Sequence, residues 1–155
     1  MTRTVIVDID GTLALREGDD PRGPFEYDRV LEDVPNIPVV AVVQALHQTG
    51  HHIVFLSGRE NVDYATHHGY AHRGLAGTCY DATSMWISEH TGITDPELYM
   101  RVEHDRRKDA VVKKEIFNAH LADRDILCAI DDRDQVVAMW RSMGITCMQV
   151  AYGDF

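Results

Sequence analysis

The sequence has few cysteines, no long apolar run and no excess of basic residues, and each absence excludes a class of protein. Its 155 residues include three cysteines, none of them spaced as CxxC. So few cysteines exclude a small secreted fold held together by disulfide bonds and predict reduced thiols in a cytoplasmic protein. The longest apolar runs, such as residues 39–43, are far shorter than the roughly 18 residues of a membrane span. No signal-peptide pattern opens the chain, and we expect no association with membranes.

The charge is strongly acidic but unevenly distributed. A net charge of −10 disfavours a protein that coats nucleic acid by charge alone. Residues 101–114 nevertheless contain six basic and three acidic residues, a net charge of +3. This stretch is either a solvated helix face or a surface for a polyanionic substrate, and the sequence leaves both interpretations open.

Apolar runs of strand length alternate with segments of helical periodicity. Strands are predicted at 4–9, 52–56, 98–102, 126–130 and 145–150, and helices at 38–49, 82–90, 109–121 and 135–143. Glycine and proline predict a long loop over 11–37, with one helical turn at 28–33. Because the strands are continuous rather than alternating apolar runs, we expect a single α/β domain over 1–155, a parallel sheet sandwiched by helices.

Polar residues follow three of these strands where each strand ends. They are Asp8, Asp10, Gly11 and Thr12 after the first, Ser57, Gly58 and Arg59 after the second, and Asp131 and Asp132 after the fourth. Because the carboxyl ends of parallel strands share one edge of a sheet, these groups should lie together there. Four carboxylates at one edge repel one another unless a cation lies among them. Mg²⁺, which prefers oxygen ligands and pairs with phosphate, is the predicted cofactor.

The first two aspartates can carry phosphoryl-transfer chemistry. A carboxylate can attack phosphorus to form an aspartyl-phosphate, and Asp8, the first polar residue after its strand, is the predicted nucleophile. Asp10 can protonate the leaving oxygen and later activate water. Because nucleophile and substrate are both anions, Mg²⁺ and the amine of Lys113 are expected to offset their repulsion.

Other residues of these clusters are predicted to support the phosphate and the metal. Gly11 lets the chain turn closely past the phosphate, and the hydroxyls of Thr12 and Ser57 can bind its oxygens. The predicted metal ligands are Asp8, Asp10, Asp131 and Asp132.

Four segments carry a resemblance to a known family. Asp8-Ile-Asp10-Gly-Thr12, Leu56-Ser57-Gly, Lys113 and Ile130-Asp131-Asp132 match in order the four motifs of the haloacid dehalogenase (HAD) phosphatase superfamily, which the chain resembles. The resemblance implies a Rossmann-like HAD fold with a small or absent cap.

Residues 107–117 and 129–155 look more closely like the 3′-phosphatase domain of bacteriophage polynucleotide kinase–phosphatase. The similarity weakens at 13–37 and 60–100. The resemblance implies active-site roles for Asp8, Asp10, Arg22, Arg59, Asp109, Lys113 and Asp132, although Arg16, in the same loop, competes with Arg22. Of these, Arg22, Arg59 and Asp109 are expected to bind the substrate and its phosphate, as are Gly11, Thr12, Ser57 and Gly58. Asp109 and Lys113 are also neighbours on one helix face, so an ordinary ion pair is the alternative. The kinase that often accompanies this domain is not expected here, because GxxxxGK[ST] and even a Gly-Lys pair are absent.

The resemblance implies a Mg²⁺-dependent phosphomonoesterase that removes the 3′-phosphate from DNA or RNA ends, a step of nucleic acid repair. Two alternatives stay open: the same chemistry on a small molecule such as a mononucleotide, and a non-catalytic module that binds nucleic acid ends. The expected partners are 3′-phosphorylated ends, with a second copy of the chain as a further candidate.

Residues 60–80 depart from the family and are predicted to form a small cap or loop insertion. His67, His68, His72 and Cys79 are metal-ligand types, but their spacing fits no structural zinc pattern. Tyr64, Tyr70 and Tyr80 could stack on a base or simply pack. Trp86, Trp140, Cys128 and Cys147 are predicted core residues.

Overall fold

A five-stranded parallel sheet forms the centre of the computed structural model, which describes residues 1–67 and 76–155. Its strands are β1 (Thr4–Val7), β4 (His52–Asn61), β5 (Glu97–Val102), β6 (Ile126–Asp131) and β7 (Cys147–Gln149). They lie in the order β5-β4-β1-β6-β7, and every neighbouring pair is parallel. A separate antiparallel ribbon pairs β2 (Ala14–Leu15) with β3 (Val34–Pro35). The predicted α/β class and parallel sheet are confirmed.

Helices cover both faces of this sheet. They are α1 (Ile37–Gln48), α2 (Cys79–Thr91), α3 (Asp109–His120) and α4 (Asp134–Ser142), with a 3-10 helix at Tyr27–Glu32. Side chains alternate along β1: Val5 and Val7 pack with α1 and α2, whereas Ile6 packs with α3 and α4. Trp86 is buried on the face of the sheet covered by α1 and α2, and Trp140 is buried on the face covered by α3 and α4, as predicted. All three cysteines are buried.

Strand β4 is longer than predicted. Its pairing with β5 shifts between Ser57 and Glu60, which marks a bulge at Gly58 and Arg59. The strand then resumes through Asn61, so Ser57, Gly58 and Arg59 lie within β4 and not beyond its end. A bulge redirects side chains without ending the strand, which places Arg59 over the carboxyl edge of β1.

Helix α2 begins three residues earlier than predicted because of a capping box. The Thr78 side chain accepts from the backbone N–H of Asp81, and the Asp81 side chain accepts from that of Thr78. Of the residues singled out between 60 and 80, His68, Tyr70 and His72 lie outside the described residues. Tyr64 is buried and donates to the main-chain oxygen of Tyr27 at 2.7 Å. Within the described ranges, no helix is long and apolar enough to cross a membrane.

Candidate active site

The carboxyl edge of the sheet opens into a cleft of about 450 Å³. Asp8 follows β1, Asp131 ends β6, Asp132 comes next, and Gly58 and Arg59 form the bulge of β4. The first turn of α3 adds Asp109 and its second turn adds Lys113. Three separate strands and one helix therefore bring the predicted groups to one place.

The Asp8 carboxylate is held at both oxygens. Lys113 Nζ donates to Oδ1 at 2.7 Å, and Thr12 Oγ1 donates to Oδ2 at 2.7 Å. Asp8 is 5% exposed but lines the cleft. Burial and the neighbouring carboxylate of Asp131 raise the pKa of Asp8 well above its ordinary value, although Lys113 opposes them. The side chain is thus fixed in orientation and weakly solvated.

Lys113 is a buried cation surrounded by carboxylates. Its Nζ lies 2.8 Å from Asp131 Oδ2 and 3.5 Å from Asp109 Oδ2, in addition to Asp8. Burial alone would lower the pKa of Lys113, but the negative charges of Asp131, Asp8 and Asp109 outweigh it and raise the pKa well above its ordinary value. Lys113 therefore stays charged and gives the site a fixed positive charge.

Asp8, Asp131 and Asp132 form an acidic group in which one carboxylate oxygen from each residue lies within 4.8 Å of the other two. Burial and the charge of Asp131 raise the pKa of Asp132. Asp131 Oδ1 accepts from the backbone N–H groups of Asp132 and Arg133 at 2.9 and 3.2 Å, so this side chain is already fixed. Three buried carboxylates with one buried amine leave an excess of negative charge, and a hard divalent cation fits such an all-oxygen group.

Asp10 lies outside this acidic group, and its carboxylate binds two arginines instead. Arg59 donates to both oxygens at 2.9 Å, and Arg22 Nη2 donates to Oδ1 at 2.7 Å. Burial alone would raise the pKa of Asp10, but the guanidinium groups of Arg59 and Arg22 lower it to about 2. The side chain keeps a third of its surface exposed. The structure thus does not bring the Asp10 carboxylate to the predicted metal ligands.

A further carboxylate, Asp33, organises both arginines. Arg22 binds its two oxygens at 2.7 and 2.8 Å, and Arg59 Nη2 binds Oδ2 at 2.7 Å. Asp33 is 5% exposed, and its main-chain oxygen accepts from the indole N–H of Trp86. Asp33 was not among the predicted site residues. It lies beside a short 3-10 helix and belongs to no motif, and the burial of its two arginine partners is visible only in the structure.

Two glycines permit close contacts between the site's loops. Gly11 has φ +81°, and a Cβ there would collide with the Asp132 carboxylate. A Cβ at Gly58 would collide with Asp109 Oδ1. Arg101 reinforces the second contact, because its Nε donates to Gly58 O at 2.8 Å and its Nη2 approaches Asp109 Oδ1 at 3.3 Å.

The remaining predicted residues join the same network. Ser57 is fully buried and its Oγ accepts from the Arg59 N–H at 3.1 Å, so in this structure it supports the bulge. Of the two arginines that competed for this role, Arg22 donates to Asp10, whereas Arg16 lines the cleft. The residues brought together are Asp8, Asp10, Gly11, Thr12, Arg22, Ser57, Gly58, Arg59, Asp109, Lys113, Asp131 and Asp132.

Comparison with known proteins shows which family has this arrangement of site residues. A family model described as the phosphatase domain of the polynucleotide kinase PNKP matches residues 2–155. The chain belongs to this family. A protein of Autographa californica nuclear polyhedrosis virus named "Putative bifunctional polynucleotide kinase/RNA ligase" is 30% identical over 146 residues, which are 92% of this chain and 18% of that protein.

Solved structures agree with membership in the PNKP phosphatase-domain family. A chain in the structure of the Pnkp1/Rnl/Hen1 RNA repair complex is 35% identical, with a TM-score of 0.78 over 99% of this chain and 44% of that one. This chain therefore spans less than half the length of these two relatives. D,D-heptose 1.7-bisphosphate phosphatase from B. bronchiseptica, solved with magnesium and phosphate, shares the fold at a TM-score of 0.55 and 15% identity, covering 95% of this chain and 79% of that one. The expected HAD fold is confirmed.

Proposed function

We propose that this chain is a Mg²⁺-dependent phosphomonoesterase that removes the 3′-phosphate from DNA or RNA ends through an aspartyl-phosphate. The observation that carries the proposal is the Asp8 carboxylate, held by Lys113 and Thr12 at the base of an open cleft and beside a second, arginine-bound carboxylate. Membership in the PNKP phosphatase-domain family supports the nucleic acid substrate.

Asp8 is the nucleophile of this mechanism. Its carboxylate oxygen attacks phosphorus, the phosphorus–oxygen bond to the 3′ position breaks, and an acyl phosphate forms on Asp8. Lys113 and Thr12 keep the carboxylate oriented and lower the barrier to approach of the anionic substrate.

Asp8 and Asp132, with Asp131 beside them, are the residues that would hold Mg²⁺. When bound, the ion supplies positive charge that offsets the repulsion between the carboxylate and the phosphate.

Asp10 is the acid and then the base. In the structure its pKa of about 2 keeps it ionised, which suits activation of water for hydrolysis of the acyl phosphate. A substrate phosphate beside it adds negative charge and competes for Arg59 and Arg22, and both effects raise the pKa of Asp10. With substrate bound, Asp10 takes up a proton from solvent and passes it to the departing 3′ oxygen, which leaves Asp10 ionised again. Asp10 then accepts a proton from the water that attacks the acyl phosphate. The bond from phosphorus to the Asp8 oxygen breaks, inorganic phosphate leaves and the Asp8 carboxylate is restored.

The test compares matched oligonucleotides that carry a 3′-phosphate, a 5′-phosphate or a 2′,3′-cyclic phosphate. We expect Mg²⁺-dependent release of phosphate from the 3′-phosphate end, abolished by EDTA and by Asp8→Asn. Brisk turnover of mononucleotides with none of the oligonucleotides would replace this proposal with the small-molecule alternative. Absence of any hydrolysis, including that of an aryl phosphate, would leave the non-catalytic alternative.

A further inference from the structure

Beyond the phosphate-binding groups, two exposed phenylalanines line the same cleft. Phe25 is 73% exposed and Phe155 is 59% exposed. The cleft wall also contains the basic residues Arg16, Arg106, Lys108 and Arg133. Exposed aromatic rings next to basic groups are the combination that binds single-stranded nucleic acid, with the rings stacking on bases and the cations following the backbone.

Phe155 is fixed close to the catalytic residues by a chain of contacts. Its ring lies over the guanidinium of Arg133, with 4.6 Å between Cζ and the ring centroid. Arg133 Nη1 lies 3.8 Å from Asp109 Oδ2, the oxygen that contacts Lys113. The ring is therefore three contacts outward from the lysine that touches Asp8.

The backbone around Phe155 is fixed as well. Asp134 N–H donates to the Gly153 oxygen at 2.7 Å, and Gln135 Nε2 donates to the main-chain oxygen of Phe155 at 3.2 Å. Both partners belong to α4, the helix that directly follows the Asp131-Asp132 pair. The exposed ring is thus positioned by the first turn of the helix that follows the acidic pair in the chain.

Phe25 belongs to a different loop that is also anchored at the site. It follows Arg22 by three residues, and Arg22 is bound to both Asp10 and Asp33. Arg22 Nη1 additionally donates to the Gly23 oxygen at 3.2 Å, which fixes the start of this turn. Two aromatic rings on independently anchored segments therefore line one opening.

We propose that Phe25 and Phe155 bind the nucleobase of the 3′-terminal nucleotide by stacking, so that the enzyme prefers ends whose last nucleotide carries a base. This inference rests on the proposed function. A phosphate seated at Asp8 leaves the rest of its nucleotide to extend outward through the cleft, where these rings lie. Stacking accepts any base because every base has a π face, so the preference concerns the presence of a base and not its identity.

The test uses two oligonucleotides with a 3′-phosphate, one ending in thymidine and the other in an abasic deoxyribose analogue. We expect the wild-type kcat/KM to be at least about five-fold higher for the thymidine end, mainly through KM. In Phe25→Ala and Phe155→Ala this preference should shrink, because kcat/KM for the thymidine end should fall towards the value for the abasic end. Tyr152→Ala is the matched control, since Tyr152 is fully exposed and near Phe155 in the chain but does not line the cleft.

Phe155→Trp should retain the preference for a base, whereas Phe155→Leu should reduce it as Phe155→Ala does, although leucine keeps an apolar side chain. Wild-type rates that are equal for the two ends would overturn the inference, as would variants that lose activity equally on both. A wild-type enzyme that hydrolyses an aryl phosphate but neither oligonucleotide would instead refute the proposed function.

Discussion

At the scale of single residues, the site is built from charges buried in an arrangement that costs stability. Asp8, Asp131 and Asp132 approach one another at the edge of the sheet. Among the described residues, Lys113 is the one buried cation that donates to two of these carboxylates, those of Asp8 and Asp131. Burying like charges together is unfavourable unless a reaction or a ligand needs them. The raised pKa of Asp8, caused by burial and by Asp131, is the sign of that cost.

Asp8→Asn therefore separates catalysis from stability. Because the folded-state pKa of Asp8 lies above its unfolded value, the ionised carboxylate weakens the fold at neutral pH, and a neutral amide of the same shape removes that effect. We expect phosphate release to fall at least about 10³-fold, with a thermal midpoint in EDTA that is unchanged or higher. A large drop in the midpoint would show that Asp8 serves mainly to stabilise the fold.

Asp33, unlike Asp8, should be needed for the stability of the fold. Its carboxylate holds Arg22 and Arg59, which are almost fully buried, so Asp33→Asn leaves two guanidinium groups sharing Asp10 alone. We expect a loss of about 3–5 kcal/mol in the free energy of unfolding, measured by urea denaturation, together with loss of phosphate release. Asp20→Asn, which removes a 90% exposed partner of Arg29, should leave the denaturation midpoint unchanged. If Asp33→Asn and Asp20→Asn were equally stable, Asp33 would not be the residue that holds the two buried arginines.

The contrast between Asp10 and Asp33 shows what residue patterns can predict. Asp10 lies two positions after Asp8 in a recognisable motif, so its place in the site could be predicted. Asp33 reaches the same arginines only because the β2–β3 ribbon and the 3-10 helix fold the 11–37 loop back over β1. Glycine and proline content predicted the loop and a helical turn at 28–33, close to the observed 3-10 helix at Tyr27–Glu32. It could not predict the return path, which depends on tertiary contacts.

At the scale of elements, apolar periodicity predicted the five sheet strands and four helices, and local polar chemistry decided where they end. Strand β4 continues through Gly58-Arg59-Glu60-Asn61, a polar sequence that resembles a loop. It remains a strand because the bulge restores pairing with β5, as Glu60 pairs with Arg101 and Asn61 with Val102. Cross-strand pairing of this kind has no signature within a single segment.

Gly58→Ala tests the bulge as an element that positions the site. A methyl group there would displace Asp109, which contacts Lys113. Since misplacing catalytic groups by about 1 Å costs on the order of 10²-fold in rate, we expect a loss of that size in kcat. Gly50→Ala, at a positive-φ turn with open space around it, should lower stability by about 1 kcal/mol with kcat unchanged. If both variants lost activity equally, the contact at Gly58 would not be a positioning contact.

Glu97 is the first residue of β5 and lies at the end of the sheet opposite the cleft, where its side chain tests what stabilises this strand. Hydrogen bonds from Arg124 outweigh burial, and with contributions from His52 and Tyr99 they lower the pKa of Glu97 from 4.5 to about 2. The stabilisation is thus complete above pH 4.5 and is lost as the pH falls toward 2. We expect Glu97→Gln to lower the free energy of unfolding by about 1 kcal/mol at pH 7, with the difference from wild type narrowing below pH 4.5. Glu89→Gln, on the exposed face of α2, is the control and should show no such trend.

At the scale of the whole molecule, an acidic protein places exposed basic residues along its cleft. The stretch 101–114 has a net charge of +3, but the structure divides its cations among different tasks. Arg101 and Lys113 are buried within the site, and Arg107 is bound to Asp105 and Glu115. Arg106 and Lys108 are exposed and line the cleft, whereas exposed Lys114 does not. Composition could indicate the basic stretch, but only the fold shows which of its charges a substrate can meet.

This division predicts the salt dependence of activity. Each cation that contacts a backbone phosphate releases counterions, so Lys108→Ala should reduce the slope of log kcat/KM against log salt concentration by about 1 for a 3′-phosphorylated oligonucleotide. Lys114→Ala removes the same charge from the same stretch and should leave the slope unchanged. Hydrolysis of an aryl phosphate, which has no backbone, should show little dependence on Lys108. Equal effects of the two lysine variants would mean that net charge, and not the cleft wall, governs the encounter with nucleic acid.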